Sequence, residues 1–361
     1  MQYKFFLLPT LSPYKAKYQF GSIIIAEGLK VLGQPFFANI NYWKETGASE
    51  YTFATSNKPA DVHIYESCYV VAHPEVASQL DKSKINVLID LEDKLMTLSL
   101  TPTANAFDIV LRAHYTTHLP YPAHVHPWPF ALSNRIITSV NASIDQPVFP
   151  RLFSSYRVHL DVRKMTNEKL VPLLSNKYEI GHFESEMPSK EIVEDENSYW
   201  YQTGRRHDDA FYVALNQSLL SLTFGGSFIP APFPSNPLQQ LRYLLNRSIL
   251  KAVPGLREKG YLQYIIQYDS WRWWESLISN ACPIFLDFEQ CGFKLPVMPV
   301  AGKHYLDVDL TNIEKSACNI LALTEAEIKL ISQQGKEWAL EHYSPVAVAK
   351  RFMDIVATIK K

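Results

Sequence analysis

The chain opens with short apolar runs separated by amphipathic stretches, the alternation expected of βαβ units around a parallel sheet. Lys4 to Leu8 reads as a first strand, and Gly21 to Gly33 as a helix closed by a C-cap glycine. Asp61 to Glu66, Ile85 to Asp90 and Phe107 to Leu111 are short and rich in branched residues, as strands buried on both faces are. His73 to Leu80 is expected to be a crossover helix. From His118 to Pro150 prolines recur, in LPYPAHVHPWPFAL and DQPVFP, and interrupt regular structure. The domain boundary falls near the end of that passage.

The rhythm resumes with a strand over Tyr156 to Leu160, a helix over Asn167 to Leu174 and a strand over Lys177 to Ile180. Glu184 to Asn197 is acidic and polar, an exposed excursion. Ala210 to Leu219 reads as a helix, Leu220 to Phe224 as a strand running into Gly225-Gly226, and Leu238 to Val253 as a helix. Leu262 to Ile266, Trp271 to Ser279 and Pro283 to Asp287 are expected to form one strand-helix-strand unit. Two amphipathic helices, Thr324 to His342 and Pro345 to Ile359, close the chain. The expected fold is α/β, two Rossmann-like domains facing across a cleft. Residues 1–150 form the first, residues 151–340 the second, and residues 341–361 a helix packing back on the first.

Length supports two domains, since 361 residues exceed the roughly 250–300 that one core usually serves. With 35 Lys and Arg against 36 Asp and Glu, the formal charge of -1 argues against a nucleic-acid partner. Cys68, Cys282, Cys291 and Cys318 lack zinc spacing and read as free thiols in a reducing compartment, so the expected location is cytoplasmic. The N-terminus lacks a signal-peptide pattern. No run approaches about 18 apolar residues, so no transmembrane segment is expected, while peripheral membrane contact stays open. There is no GxGxxG, GxxxxGK[ST] or GxSxG, which removes the usual support for dehydrogenase, P-loop kinase and α/β-hydrolase readings.

The chemistry concentrates in Tyr268-Asp-Ser-Trp-Arg-Trp-Trp-Glu275 and the residues that follow. Ser270 is placed to cap a helix, so Arg272 and Glu275 share one face, where the helix start and the guanidinium favour a pyrophosphate and the carboxylate is suited to accept from ribose or sugar hydroxyls. The same spacing also suits a surface ion pair. This segment resembles the region of exostosin-like and related GT-B glycosyltransferases in which a serine and an arginine precede a glutamate helix, a Cys-Pro turn and a strand ending in an acid. Here these are Ser270, Arg272, Glu275, Cys282-Pro283 and Asp287. The resemblance implies a nucleoside diphosphate sugar as co-substrate in the second half, no further cofactor, and transfer of a hexosyl or pentosyl group to a glycan hydroxyl. It extends to Gly204, Arg205, Arg206, Gly225 and Gly226 on the donor side, and to Lys303, His304 and Tyr305 after the donor helix.

The first half is left to hold the acceptor and, for inversion, a base. Strand ends facing the cleft select Glu66, Asp90 and Glu92; His114, His118, His124 and His126 cluster loosely after the third of these strands without metal spacing. Retaining GT-B enzymes often show two glutamates eight apart. Position 283, eight after Glu275, is proline, so inversion is favoured. The only Asp-x-Asp, Asp307-Val-Asp309, lies in an apolar strand pattern, so no metal is expected. Two other readings stand beside this one: a sugar-nucleotide epimerase of GT-B shape, and a non-catalytic glycan-binding protein. The sequence sets no oligomeric state.

Overall fold

The computed structural model describes residues 1–12, 15, 18–45, 47–93, 98–181, 183, 197–203, 209–230 and 263–359. Its first sheet contains β1 (Tyr3–Phe6), β2 (Phe36–Ala38), β3 (Val62–Glu66), β4 (Ile85–Asp90), β5 (Ile109–Arg112) and β6 (Val125–Pro127), in the order β2-β1-β3-β4-β5-β6. All neighbours are parallel, with Phe5 beside Ile64, Ile64 beside Val87 and Ile89 beside Leu111. Every residue of β4 and β5 is buried, which explains their unbroken apolar pattern. The helix Phe20–Val31 follows β1 and ends as expected, with Gly33 at φ 65° just beyond it.

The second sheet contains β7 (Phe149–Phe153), β8 (Glu179–Gly181), β9 (Ser218–Leu222), β12 (Cys282–Leu286) and β13 (Leu306–Val308), in the order β13-β12-β9-β7-β8, again all parallel. Two strands stand outside it. β10 (Ser227–Pro230) and β11 (Gln263–Ile266) pair antiparallel with each other, so Leu262 to Ile266 does not begin a parallel strand-helix-strand unit. The strand expected over Tyr156 to Leu160 is also displaced. β7 lies seven residues earlier and tolerates Pro150, which lacks an N-H, because its register with β9 shifts between Phe149 and Leu152.

Between the sheets, the proline-rich passage contains β6 and the helix Asn134–Asn141, capped by Ser133 Oγ accepting from the Ile136 N-H. A helix over Ile313–Ala322, not anticipated from the sequence, precedes Glu325–Tyr343, whose start carries a Thr324/Glu327 capping box. The last helix, Pro345–Ala357, lies on Phe20–Val31. Gly28 faces the Pro345 carbonyl so closely that a Cβ has no room, and Phe352 packs on Tyr3 with ring centroids 5.7 Å apart. The expected helix Leu238 to Val253 and nearly all of Glu184 to Asn197 lie outside the described residues. No helix among the described residues is long and apolar enough to cross a membrane.

Candidate active site

Both sheets reverse their strand order once, between β1 and β3 in the first and between β7 and β9 in the second. Loops diverge at such a point and leave a crevice beyond the strand ends. In the second domain that crevice gathers guanidinium groups. Arg163, in the first turn after the β7 loop, is 7% exposed and donates through Nε to the Phe224 carbonyl at 2.7 Å, beyond β9. Arg272 donates through Nε to the Ser155 carbonyl at 2.5 Å, beyond β7. Burial, then the charges of Arg272 and Arg157, lower Arg163 to about 10 against the attraction of Tyr156 and Asp93. Arg272 is lowered by burial and by Arg157, with Glu275 opposing. Like charges held together at a cleft edge form a ready receptor for an anion.

Arg157 and Arg163 were missed because the sequence reading placed Arg157 inside a strand. With β7 at its true position, both fall in the loop and helix start that follow a switch-point strand.

The helix over Trp271–Leu277 starts where expected, but it is only seven residues long and Ser270 gives it no side-chain cap. The Ser270 hydroxyl is instead buried and unpartnered. Glu275 is 4% exposed, and its Oε1 accepts from the Tyr212 hydroxyl at 3.0 Å, so the carboxylate is buried and not on the surface. Gly225 and Gly226 do lie just beyond β9. Their lack of a side chain is required by protein backbone: a Cβ on Gly225 would stand 2.7 Å from the Gln267 carbonyl, and Gly226 adopts φ 106°.

Gly204, Arg205 and Arg206 lie outside the described residues. Lys303, His304 and Tyr305 precede β13, at the opposite end of the sheet from the crevice. Lys303 is exposed there, His304 stacks on Trp338 at 5.4 Å, and Tyr305 is 1% exposed against Trp273. Packing takes these two rings, which corrects their assignment to the donor site.

On the first domain, Glu66 ends β3 at the switch point and its Oε1 accepts from the Ser22 N-H at 2.8 Å, within the first turn of Phe20–Val31. Burial raises it to about 7, against the pull of that hydrogen bond. The helix start that would receive a phosphate is therefore filled by the chain's own carboxyl group. Asp90 is 0% exposed and fully engaged: Oδ2 accepts from Ser99 N at 2.9 Å and from the Ser99 hydroxyl, and Oδ1 pairs with Arg112 at 3.2 Å. It anchors the loop and cannot reach a substrate proton. Glu92 is half-buried, 3.4 Å from the Ser67 hydroxyl.

Three residues beyond β4 lies a better-placed group. Asp93 has a 73% exposed side chain, 2.9 Å from Nε2 of the buried His114. The Asp269 N-H donates to His114 Nδ1 at 3.1 Å, so the imidazole carries its proton on Nε2 and donates to Asp93.

These contacts also fasten the domains together. Gln267 donates to the Asp93 carbonyl, Tyr268 to the Tyr115 carbonyl at 2.8 Å, and the Phe130 N-H to Asp269 at 2.7 Å. Burial raises Asp269 to about 6 despite these partners. Trp43, His114, Ala131 and Gln267 are the four non-glycine residues with positive φ among the described residues. All four lie at the junction: Trp43 stacks between Tyr18 and Tyr199, and Ala131 follows Phe130. Such conformations cost about 1–3 kcal/mol each and persist where surrounding structure enforces them.

No protein-family model and no curated protein matches the chain. Among solved structures, it is similar to an α-glucosyltransferase in complex with UDP and a 13-mer DNA containing a HMU base, with TM-score 0.54, 10% identity, and 99% of both chains covered. The same α-glucosyltransferase with UDP and a 13-mer DNA carrying a central A:G mismatch gives the same values. A glycosyltransferase from Rickettsia africae gives TM-score 0.44 at 10% identity, covering 99% of this chain and 98% of that one. The likeness at 0.54 shows the fold: two Rossmann-like domains of GT-B type facing across a cleft.

Proposed function

We propose that the protein is a sugar-nucleotide-dependent glycosyltransferase that moves a hexosyl or pentosyl group from a nucleoside diphosphate to a hydroxyl of a glycan acceptor. The observation that carries the reading is the convergence of Arg157, Arg163 and Arg272 at the switch point of the second sheet, where Arg163 is lowered by burial and by the charges of Arg272 and Arg157, and Arg272 by burial and by the charge of Arg157. A diphosphate relieves that repulsion and takes paired hydrogen bonds from guanidinium groups. With protein cations supplying this charge, the reading needs no metal and no cofactor beyond the donor. Glu275, three residues after Arg272, is read as the partner of donor hydroxyls.

The first domain supports an acceptor role, because Glu66 already fills its phosphate-type helix start. Asp93, backed by His114, is the exposed carboxylate at the junction and the proposed base for inversion, in place of Asp90. Glu66, Glu92 and Asp93 make this side unwelcoming to phosphates. With the overall charge of -1, this favours a glycan over the kind of DNA partner seen with the α-glucosyltransferase. The domain limits 1–150 and 151–340, kinship with exostosin-like enzymes and a cytoplasmic location belong to the same reading.

Thermal shift with UDP, GDP, ADP and their sugar derivatives tests it. A bound donor raises the melting temperature, and Arg272→Ala should weaken that shift about tenfold or more in nucleotide concentration. Absence of a shift with every nucleotide refutes the donor site. Release of free epimer from a labelled UDP-sugar, without transfer, selects the epimerase reading instead.

A further inference from the structure

Glu275 is a buried carboxylate at the end of a relay that starts outside the donor domain's sheet. Arg135, in the helix Asn134–Asn141 between the two sheets, is 3% exposed and donates through Nη1 to the Tyr212 hydroxyl at 3.1 Å. Tyr212, 1% exposed in the helix Asp209–Asn216, donates in turn to Glu275 Oε1 at 3.0 Å. The direction is fixed by chemistry. A guanidinium has only donors and an ionised carboxylate only acceptors, so the phenol must accept from one and donate to the other. The Arg135 guanidinium also lies over the rings of Tyr199 and Tyr212, at 4.8 and 5.8 Å.

We propose that Arg135 and Tyr212 are positioning residues for Glu275, fixing one carboxylate oxygen so that the group meets the ribose hydroxyls of the donor in a single orientation. This rests on the glycosyltransferase reading above and extends it to residues that touch no ligand.

The segment that carries Arg135 is itself held from several sides. The Phe130 N-H is bound by Asp269, the Leu132 N-H by the Tyr343 carbonyl at 3.1 Å, and the Asn134 N-H by Glu27 of the first domain at 2.7 Å. The orientation of Glu275 thereby depends on the seating of the interdomain segment. Burying a guanidinium, a phenol and a carboxylate together carries a desolvation cost that apolar packing would avoid, as expected of groups kept for a role other than stability.

The test is the ratio of dissociation constants for UDP, GDP and ADP against their 2′-deoxy counterparts, measured by calorimetry on the full chain. The wild type should prefer the ribose form of its nucleotide by about tenfold or more. Tyr212→Phe should reduce that preference to about twofold while the deoxy form binds as before, a change that loss of stability alone does not produce. Retention of the full preference overturns the proposal. Should Tyr212→Phe not fold, Arg135→Lys withdraws the fork from the phenol and should narrow the same ratio; an unchanged ratio overturns it equally. A wild type that binds none of the three diphosphates refutes the donor-site reading itself, which is a different result from binding without ribose preference.

Discussion

Glu27→Gln should separate the pH dependence of stability into a part that one residue controls. Glu27 sits in the apolar helix Phe20–Val31, 2% exposed, with Oε2 accepting from the Asn134 N-H and Oε1 without a partner. Burial raises its carboxyl from 4.5 to about 8, with the Asn134 hydrogen bond and Lys30 opposing and Glu45 adding. A folded-state value above the unfolded one means that the native state binds the proton more tightly. Stability is then complete below about pH 4.5 and is lost as pH rises towards 8. At about 1.36 kcal/mol per pH unit, the loss is on the order of 5 kcal/mol.

Glutamine keeps the acceptor for Asn134 and has no proton to lose. The variant and wild type should therefore be nearly equal at pH 5, and the variant should be more stable by several kcal/mol at pH 8.5, read from urea midpoints and the unfolding slope. Glu66 and Asp269, also raised, titrate in both proteins and cancel in the difference. Parallel stability curves from pH 5 to 8.5 would refute the reasoning, since they would mean that Glu27 reaches solvent or a cation in the native state.

Two further outcomes follow from packing. Gly28→Ala, which in an ordinary helix gains up to about 1 kcal/mol, should here lower the melting temperature. Its Cβ meets the Pro345 carbonyl group, with the carbonyl carbon at 2.6 Å, so the last helix must lift; proteolysis should then release that helix first, and an unchanged melting temperature contradicts the contact. Asp90→Asn leaves Arg112 without its buried counter-charge and should cost about 3–5 kcal/mol. Well below its melting point the variant should retain turnover of a nucleotide sugar, and a loss of more than a hundredfold in kcat at full folding would restore Asp90 as a base.

The sequence alone determined what local periodicity controls. The buried strands Val62–Glu66 and Ile85–Asp90, the helix ended by Gly33 and the paired closing helices stand within a few residues of their expected places. Alternation of strand and helix was enough for the α/β class, because a parallel strand buried on both faces admits few residue types. The helix start at Trp271 was also legible.

What the tertiary structure decided is which polar groups remain available. Asp90 and Glu92 look equivalent in sequence, yet Ser99 and Arg112 consume the first, while Asp93 is selected by His114 from the turn after a different strand. His304 and Tyr305 are polar rings next to a strand whose end faces away from the crevice. Arg163 became a candidate only when the sheet order β13-β12-β9-β7-β8 set its helix beside the ends of β7 and β9. Periodicity records which face of an element is buried, but strand order and domain docking bring together residues more than a hundred positions apart, such as Arg272 and Ser155. No local pattern encodes that meeting.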